Sequence, residues 1–285
     1  MPAISAVLPT YNRLAALQTN FRSLREQTGL AEIVVVVDGS TDGTLEWLRE
    51  LDDGRIKLLY QHQQGSPAAR NAGVAAAQGE WILMTEDDRL LPKDFLVALL
   101  EAALANNAQL VGAPWLLIGS EAAMSQALER ARKAAQPWIG LETSATVFPT
   151  HDLETPFING IILARRDVFE TIRYDESLGG NAWREETSLV LSAMEAGFRP
   201  VLTPRTASFQ LAQWEGGQRL PRLQYEAWAI RNNWRFLKLH RRTLERLGEI
   251  HNPVTAQANF VRRRLTETAV GVTRNRIRQF AARPR

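Results

Sequence analysis

The sequence predicts an α/β fold in which short strands and helices alternate as parallel βαβ units. Three observations carry that prediction. Apolar runs of strand length recur through the first third of the chain, the clearest being the β-branched Ile33–Val37. Between them lie segments with apolar residues three and four apart, the period of a helix with one buried face. The linking turns contain Gly, Pro, Asp and Asn, which mark the ends of strands and helices.

In chain order, Ile4–Leu8 is a short apolar strand ended by Pro9. Leu14–Arg25 is a helix with Leu14, Leu17, Phe21 and Leu24 on one face. Ile33–Val37 reads as a strand buried on both faces, as a parallel sheet requires. Thr44–Leu51 is a helix capped by Thr41 or Asp42. Ile56–Tyr60 is a strand, Pro67–Ala77 an Ala-rich helix, Trp81–Thr85 a strand and Asp94–Ala105 an amphipathic helix. Beyond Leu110 the rhythm loosens. Ala122–Ala135 reads as a helix, Phe157–Ala164 as a strand and Arg166–Ile172 as the start of another helix. Glu185–Ala196 is a helix closed by Gly197, and Val201–Thr203 and Ala207–Leu211 are short strands. After Pro221 the pattern is helical, with Leu223, Ala227, Ile230, Trp234 and Leu237 in register.

A length of 285 residues admits one large domain or two small ones. Apolar residues at 45% and charged residues at 23% exclude a disordered or fibrous chain. Cysteine is absent, which excludes disulfides and thiolate metal sites. No apolar run approaches the ~20 residues that cross a bilayer. The N-terminus shows no basic n-region, so a cytoplasmic protein is expected. Net charge is +3, but it is unevenly spread. Residues 201–285 hold 17 Lys or Arg and 5 Asp or Glu, a net of +12, while residues 1–200 carry a net of −9. A basic tail on an acidic body points to an anionic partner or to a solvated surface.

Ligands of doubly wound sheets sit outside the carboxyl ends of the strands. Four segments fall there: Pro9-Thr10-Tyr11-Asn12-Arg13, Asp38-Gly39-Ser40-Thr41-Asp42-Gly43, Arg70-Asn71-Ala72-Gly73 and Glu86-Asp87-Asp88. Three successive carboxylates repel one another, which is poor for stability and suited to a divalent cation with hard oxygen ligands. No GxGxxG and no Walker A loop is present.

VLPTYNR, VVVDGSTDGT, ARNAG and ILMTEDDRLLPKDF, in this order and spacing, resemble the family-2 glycosyltransferases of the GT-A fold. The likeness covers roughly residues 3–211. It implies a mixed α/β sheet flanked by helices, a nucleotide-sugar donor with a UDP-sugar favoured, a divalent cation (Mn or Mg), and transfer with inversion to a glycan or lipid-linked acceptor. It divides the chain into a catalytic unit, 1–215, and a helical basic extension, 216–285. Within the unit, 1–110 would hold the nucleotide and 111–215 the acceptor.

Residue by residue, the resemblance places Pro9, Tyr11, Asn12, Arg13, Asp38, Ser40 and Arg70 at the nucleotide. Asp38 would accept hydrogen bonds from uracil or ribose, and Arg70 would meet nucleotide or phosphate. Glu86-Asp87-Asp88 stands where relatives carry DXD, with Asp88 the expected metal contact and Glu86 a second one. Asn159 and Gly160 match a segment beside the donor sugar. Glu186, or its neighbour Glu185, aligns with the catalytic base, and Trp183 and Arg184 with the acceptor side.

Two positions depart from the pattern. Ser188 stands where many relatives have Asp, and Gln210 where many have a metal-binding His. Gln is a weaker metal ligand, so a catalytically weak or inactive nucleotide-sugar-binding protein is one rival reading, and a nucleotidyltransferase another. The extension interleaves Trp228, Trp234, Phe236, Phe260 and Phe280 with Arg262, Arg263, Arg264, Arg274, Arg276 and Arg278. Peripheral contact with the inner face of the cell membrane is the favoured expectation for it, ahead of packing on the catalytic unit or a homodimer. Nucleic acid is disfavoured, because no nucleic-acid-binding motif accompanies the arginines.

Overall fold

A computed structural model describes residues 2–142, 148–211 and 220–266. The first half is built as β1 (Ile4–Thr10), α1 (Leu14–Arg25), β2 (Leu30–Asp38), α2 (Thr44–Arg49), β3 (Ile56–Gln61), α3 (Ser66–Ala76), β4 (Trp81–Met84), β5 (Arg89–Leu90) and α4 (Phe95–Asn106). Then come β6 (Leu110–Gly112), β7 (Trp115–Ile118), α5 (Met124–Lys133), β8 (Leu153–Glu154), β9 (Ile162–Arg165), α6 (Arg166–Thr171), α7 (Glu185–Glu195), β10 (Pro200–Leu202) and β11 (Ser208–Leu211). The C-terminal part holds α8 (Arg222–Leu239), α9 (Arg241–Arg246) and a helical stretch at 253–266.

Eight strands form the main sheet in the order β3-β2-β1-β4-β9-β6-β10-β8. The expected parallel units are present: β1 pairs in parallel with β2 and β4, and β2 with β3. The sheet is mixed because β9 inserts antiparallel between β4 and β6. The strand expected over Phe157–Ala164 is regular only at Ile162–Arg165. Residues before it are irregular, and Gly160 has φ +83. A second sheet has the order β5-β11-β7, and its register sets Gln210 opposite Arg89. The short strands β5 to β8 carry no periodic signal and were not expected.

The β-branched run of β2 is fully buried, since apolar clusters cover both sheet faces. Gly73 explains how α3 sits so near the sheet. A Cβ there would lie 2.3 Å from Val7 Cγ1, so only glycine permits this approach. The N-cap of α2 is Gly43 in place of the expected Thr41 or Asp42. Asp42 sits one residue earlier, where its Oδ1 accepts from the Thr44 N–H at 3.2 Å and its Oδ2 from the Leu14 N–H at 2.9 Å, which ties the starts of two helices together.

The C-terminal helices share the core of the catalytic unit. Phe236, Leu237, Leu244 and Ile250 are buried with Leu189 and Val190 of α7. Phe260 is buried against Trp183, their rings 5.9 Å apart. Arg264 pairs with Glu226 at 2.7 Å and lies over the Trp183 ring, and Arg263 pairs with Glu142. Up to residue 266 the extension therefore packs on the preceding α/β unit, as the second of the sequence readings expected. Arg274, Arg276, Arg278 and Phe280 lie outside the described residues. Among the described residues no helix is long and apolar enough to cross a membrane.

Candidate active site

One cleft of about 340 Å³ opens at the carboxyl ends of β1, β2 and β4. Nine of the expected site residues line it: Pro9, Tyr11, Arg13, Asp38, Arg70, Glu86, Asp87, Asp88 and Glu185. They meet because each follows a parallel strand or opens a helix packed on one, so chain direction delivers their side chains to the same edge.

Asp38 ends β2 and is buried. Its Oδ1 accepts from Gln61 Nε2 at 2.7 Å and Gln64 N–H at 2.8 Å, and its Oδ2 from Gly65 N–H at 2.9 Å. These bonds hold the 61–65 turn that leads into α3. Asn12 and Ser40 do not line the cleft. They lock two loops together, the Asn12 N–H donating to Ser40 Oγ at 3.0 Å and Asn12 Oδ1 accepting from Thr41 N–H at 2.8 Å.

The acid triplet is interleaved with arginines. Arg13 Nη1 reaches Asp88 Oδ2 at 2.7 Å and Asp87 Oδ1 at 3.1 Å. Arg89 Nε reaches Glu86 Oε2 at 2.5 Å and Asp88 Oδ1 at 3.5 Å. Thr10 Oγ1 donates to Asp87 Oδ2 at 2.9 Å. Burial, with Asp88 adjacent, pushes the Asp87 carboxyl up to about 7 even though Arg13 opposes the shift. Glu86 is half-buried, and Arg89 and Arg70 outweigh the cost of its desolvation and hold it below the usual carboxylate range. Arg89, unremarked in the sequence although it follows the triplet directly, is thus the main counter-ion of Glu86, as Arg13 is of Asp87 and Asp88, and it stacks on Trp115 at 4.7 Å.

Arg70 is the centre of the site, 2% exposed beneath the cleft. Nη2 lies 3.4 Å from Glu86 Oε1 and 3.3 Å from Glu186 Oε1, and Nε lies 3.5 Å from Glu185 Oε1. Ser66 Oγ donates to Glu185 Oε1 at 2.9 Å. Burial raises the Glu185 carboxyl against the pull of Arg70. Burial and the charge of Glu185 push Glu186 up to about 8, again against Arg70. Arg70 Nη1, Glu185 Oε2 and Tyr174 Oη are buried with no hydrogen-bond partner among the described residues. Such groups cost about 1–3 kcal/mol each, and functional sites are where a fold tolerates them.

Gln210 meets the triplet through β11: its Nε2 donates to Asp88 Oδ2 at 2.8 Å. Asn159 and Gly160 do not line the cleft, and Asn159 Oδ1 accepts from Thr187 Oγ1 of α7 at 2.8 Å. Trp183 and Arg184 also lie off the cleft, against the C-terminal helices. Arg184 bonds to Asn233 Oδ1 at 3.1 Å and Glu142 Oε1 at 3.0 Å. The wall they were expected to form is made by Gly180, Asn181, Ala182 and Tyr225. Nothing in the sequence marks Tyr225, since its place depends on how α8 docks.

Glu86 and Asp88 supply hard oxygens at the cleft, the ligand type that suits Mg²⁺ or Mn²⁺, whereas Gln210 lies outside its lining and turns its amide nitrogen to Asp88. Among the described residues no three His, Cys, Asp or Glu side chains converge as a closed cage.

The chain is similar to several known proteins. The chain is 26% identical over 208 residues to the succinoglycan biosynthesis protein ExoO of Rhizobium meliloti, covering 72% of this chain and 59% of that one. It is 29% identical over 187 residues to the GalNAc(5)-diNAcBac-PP-undecaprenol beta-1,3-glucosyltransferase of Campylobacter jejuni, covering 64% and 57%. The chain thus spans less than two thirds of the length of these relatives. The solved mannosyltransferase PcManGT of Pyrobaculum calidifontis, in complex with GDP-Man and Mn2+, superposes with a TM-score of 0.58 at 19% identity, covering 86% of this chain and 64% of that one. The fold is accordingly GT-A. The profile of Glycosyl transferase family 2 matches residues 5–173, more than half of the sequence, and ends before Glu185. With the motif segments gathered on one cleft of a GT-A sheet, the chain belongs to glycosyl transferase family 2.

Proposed function

We propose that this protein transfers a glycosyl group from a nucleoside-diphosphate sugar to an acceptor hydroxyl, with inversion, in the assembly of a polysaccharide or glycolipid. One observation carries the reading: Tyr11, Asp38, the acid triplet and Glu185 line a single cleft over Arg70. The relatives' roles in glycan assembly and the GDP-Man and Mn2+ of the solved neighbour support it.

Tyr11 and Pro9 border the base, a UDP-sugar being the favoured donor. Arg13, with its side chain 31% exposed in the cleft, is the cation that can turn from Asp88 to a diphosphate. Glu186, with Glu185 beside it, takes the proton of the acceptor hydroxyl. The acceptor oxygen then bonds to the anomeric carbon, and the bond to the diphosphate oxygen breaks on the opposite face. Asp88 and Glu86 would hold a divalent cation, which supplies charge neutralisation for the leaving diphosphate.

A second reading, a weak or inactive nucleotide-sugar-binding protein, is favoured by Asp88 Oδ2 accepting from both Arg13 and Gln210. Thermal unfolding with UDP, GDP and their sugars, with manganese or EDTA, tests binding, and product analysis separates the readings. Release of nucleoside diphosphate with a glycosylated acceptor supports transfer, and pyrophosphate release marks nucleotidyl transfer. Stabilisation by nucleotide without turnover on any acceptor leaves the binding protein.

A further inference from the structure

The loop Gly179–Arg184 carries the chain into α7 and so into Glu185 and Glu186. Within five positions it has three residues in the left-handed region, Gly180 (φ +65), Ala182 (φ +50) and Arg184 (φ +76). A non-glycine residue held there costs on the order of 1–3 kcal/mol and persists only where its surroundings over-determine it. Here the surroundings of Gly179–Asn181 are chiefly α8, which lies wholly beyond the span matched by the family, while Arg184 also reaches Leu141 O and Glu142.

Asn232 is fully buried at the middle of that contact. Its Nδ2 donates to Gly179 O at 2.9 Å and to Asn181 Oδ1 at 3.4 Å. Asn181 in turn donates through Nδ2 to Tyr225 O at 3.0 Å and accepts from Trp183 N–H at 3.2 Å. The Trp228 ring lies so close that a Cβ on Gly180 would be 2.2 Å from its Cγ. The loop passes this order on: Glu185 N–H donates to Ala182 O at 3.0 Å, and Ser188 N–H to Arg184 O at 2.8 Å. The first turn of α7 is therefore oriented by a loop whose shape α8 imposes.

We propose that Asn232 is a positioning residue for Glu185 and Glu186, acting through the 179–184 loop and touching no substrate. The proposal rests on the reading of those glutamates as the catalytic pair. An apolar side chain at 232 cannot donate to Gly179 O and Asn181 Oδ1, so the strained loop loses the hub that holds it. A displacement of about 1 Å at a catalytic group lowers a rate by as much as ~10²-fold without removing any catalytic atom.

The test compares Asn232→Ala with Leu244→Ala, a buried residue of α9 that serves as a control for general loss of stability. Hydrogen exchange is followed on peptides spanning 179–187, UDP and GDP binding by calorimetry, and turnover on a panel of UDP- and GDP-sugars. For Asn232→Ala we expect exchange of 179–187 to quicken about tenfold while β1–β4 stay protected. We expect kcat to fall about 10- to 100-fold with nucleotide Kd and donor KM unchanged. Leu244→Ala, at equal loss of Tm, should keep the parent's kcat. Unchanged exchange in Asn232→Ala, or the same kcat loss in Leu244→Ala, would overturn the proposal. A parent with no transfer or donor hydrolysis, alongside the expected exchange result, would remove the proposed activity and leave the clamp standing.

Discussion

Arg70 Nη2 stands 3.3 Å from Glu186 Oε1, joining the helix that follows β3 to the helix that follows the 179–184 loop across 116 positions of sequence. The same guanidinium lies beside Glu86 and Glu185, so one buried cation meets three carboxyl groups.

Arg70→Met should therefore destabilise strongly. Removing one partner of a buried ion cluster leaves uncompensated charge and costs about 3–5 kcal/mol. The loss should shrink on going from pH 7.5 to pH 5, where the freed carboxylates keep their protons. Urea unfolding at both pH values measures it, and an equal loss at each would show that packing, not charge, sets the effect.

Glu186→Gln should lower turnover by ~10²–10⁴-fold with little change in donor binding. The rate of the parent should climb with pH toward about 8 as the raised carboxyl of Glu186 loses its proton. That limb belongs to the coupled Glu185–Glu186 pair and should vanish in the variant. If Glu185→Gln shows both effects and Glu186→Gln neither, the base is Glu185, the one that lines the cleft.

The same substitution has a stability signature of opposite sign. Folded Glu186 holds its proton to about 8, whereas the unfolded chain releases it near 4.5. Between those values the unfolded state is favoured as pH rises, so the parent loses stability through this window. Glu186→Gln should match the parent near pH 4.5 and exceed it at pH 8.5 by on the order of a few kcal/mol. Thermal unfolding across pH checks this, and a constant difference would disprove the buried-charge account.

Asp88→Asn should weaken nucleotide binding in manganese and hardly alter it in EDTA. Gln210→His places an imidazole beside Asp88, and it should tighten manganese binding because neutral imidazole is a better ligand than an amide. Calorimetry with manganese alone and with UDP separates the two effects. No manganese dependence in either protein would assign the diphosphate to Arg13.

Contact with an anionic membrane, where it draws on the basic C-terminal sequence, should depend on Arg274, Arg276 and Arg278. Arg263 and Arg264 are already committed to Glu142 and Glu226. Changing the first three to Gln should lower sedimentation with anionic liposomes at low salt, since each basic residue near such a surface contributes ~1 kcal/mol. Changing Arg264 to Gln should instead lower Tm. A loss of liposome binding confined to Arg263 and Arg264 variants would reverse this assignment.

The parallel units β1 to β4 and the turns bearing Tyr11, Asp38 and the acid triplet were legible in the sequence. Apolar period, β-branching and turn chemistry are local properties, and strand direction alone delivers those turns to one edge. The family resemblance supplied the Glu185–Glu186 motif, and the helical character of the C-terminal segment was also plain from spacing. What the tertiary structure decided is the pairing of groups far apart in the chain. The antiparallel insertion of β9 rests on side chains packing from both neighbours, for which a four-residue strand carries no signal. That Arg70 lies under the cleft and binds carboxylates follows from Gly73 letting α3 settle onto β1. That Trp183 and Arg184 turn away from the cleft, while Asn232 holds their loop, follows from the docking of α8. Spacing puts Leu223, Ala227, Ile230, Trp234 and Leu237 on one face of that helix, but of these only Leu237 is buried, and the face that docks is Ala229, Asn232, Asn233, Phe236 and Leu237. Which loop its buried amide will meet is set only when the two surfaces close and each buried donor must find an acceptor.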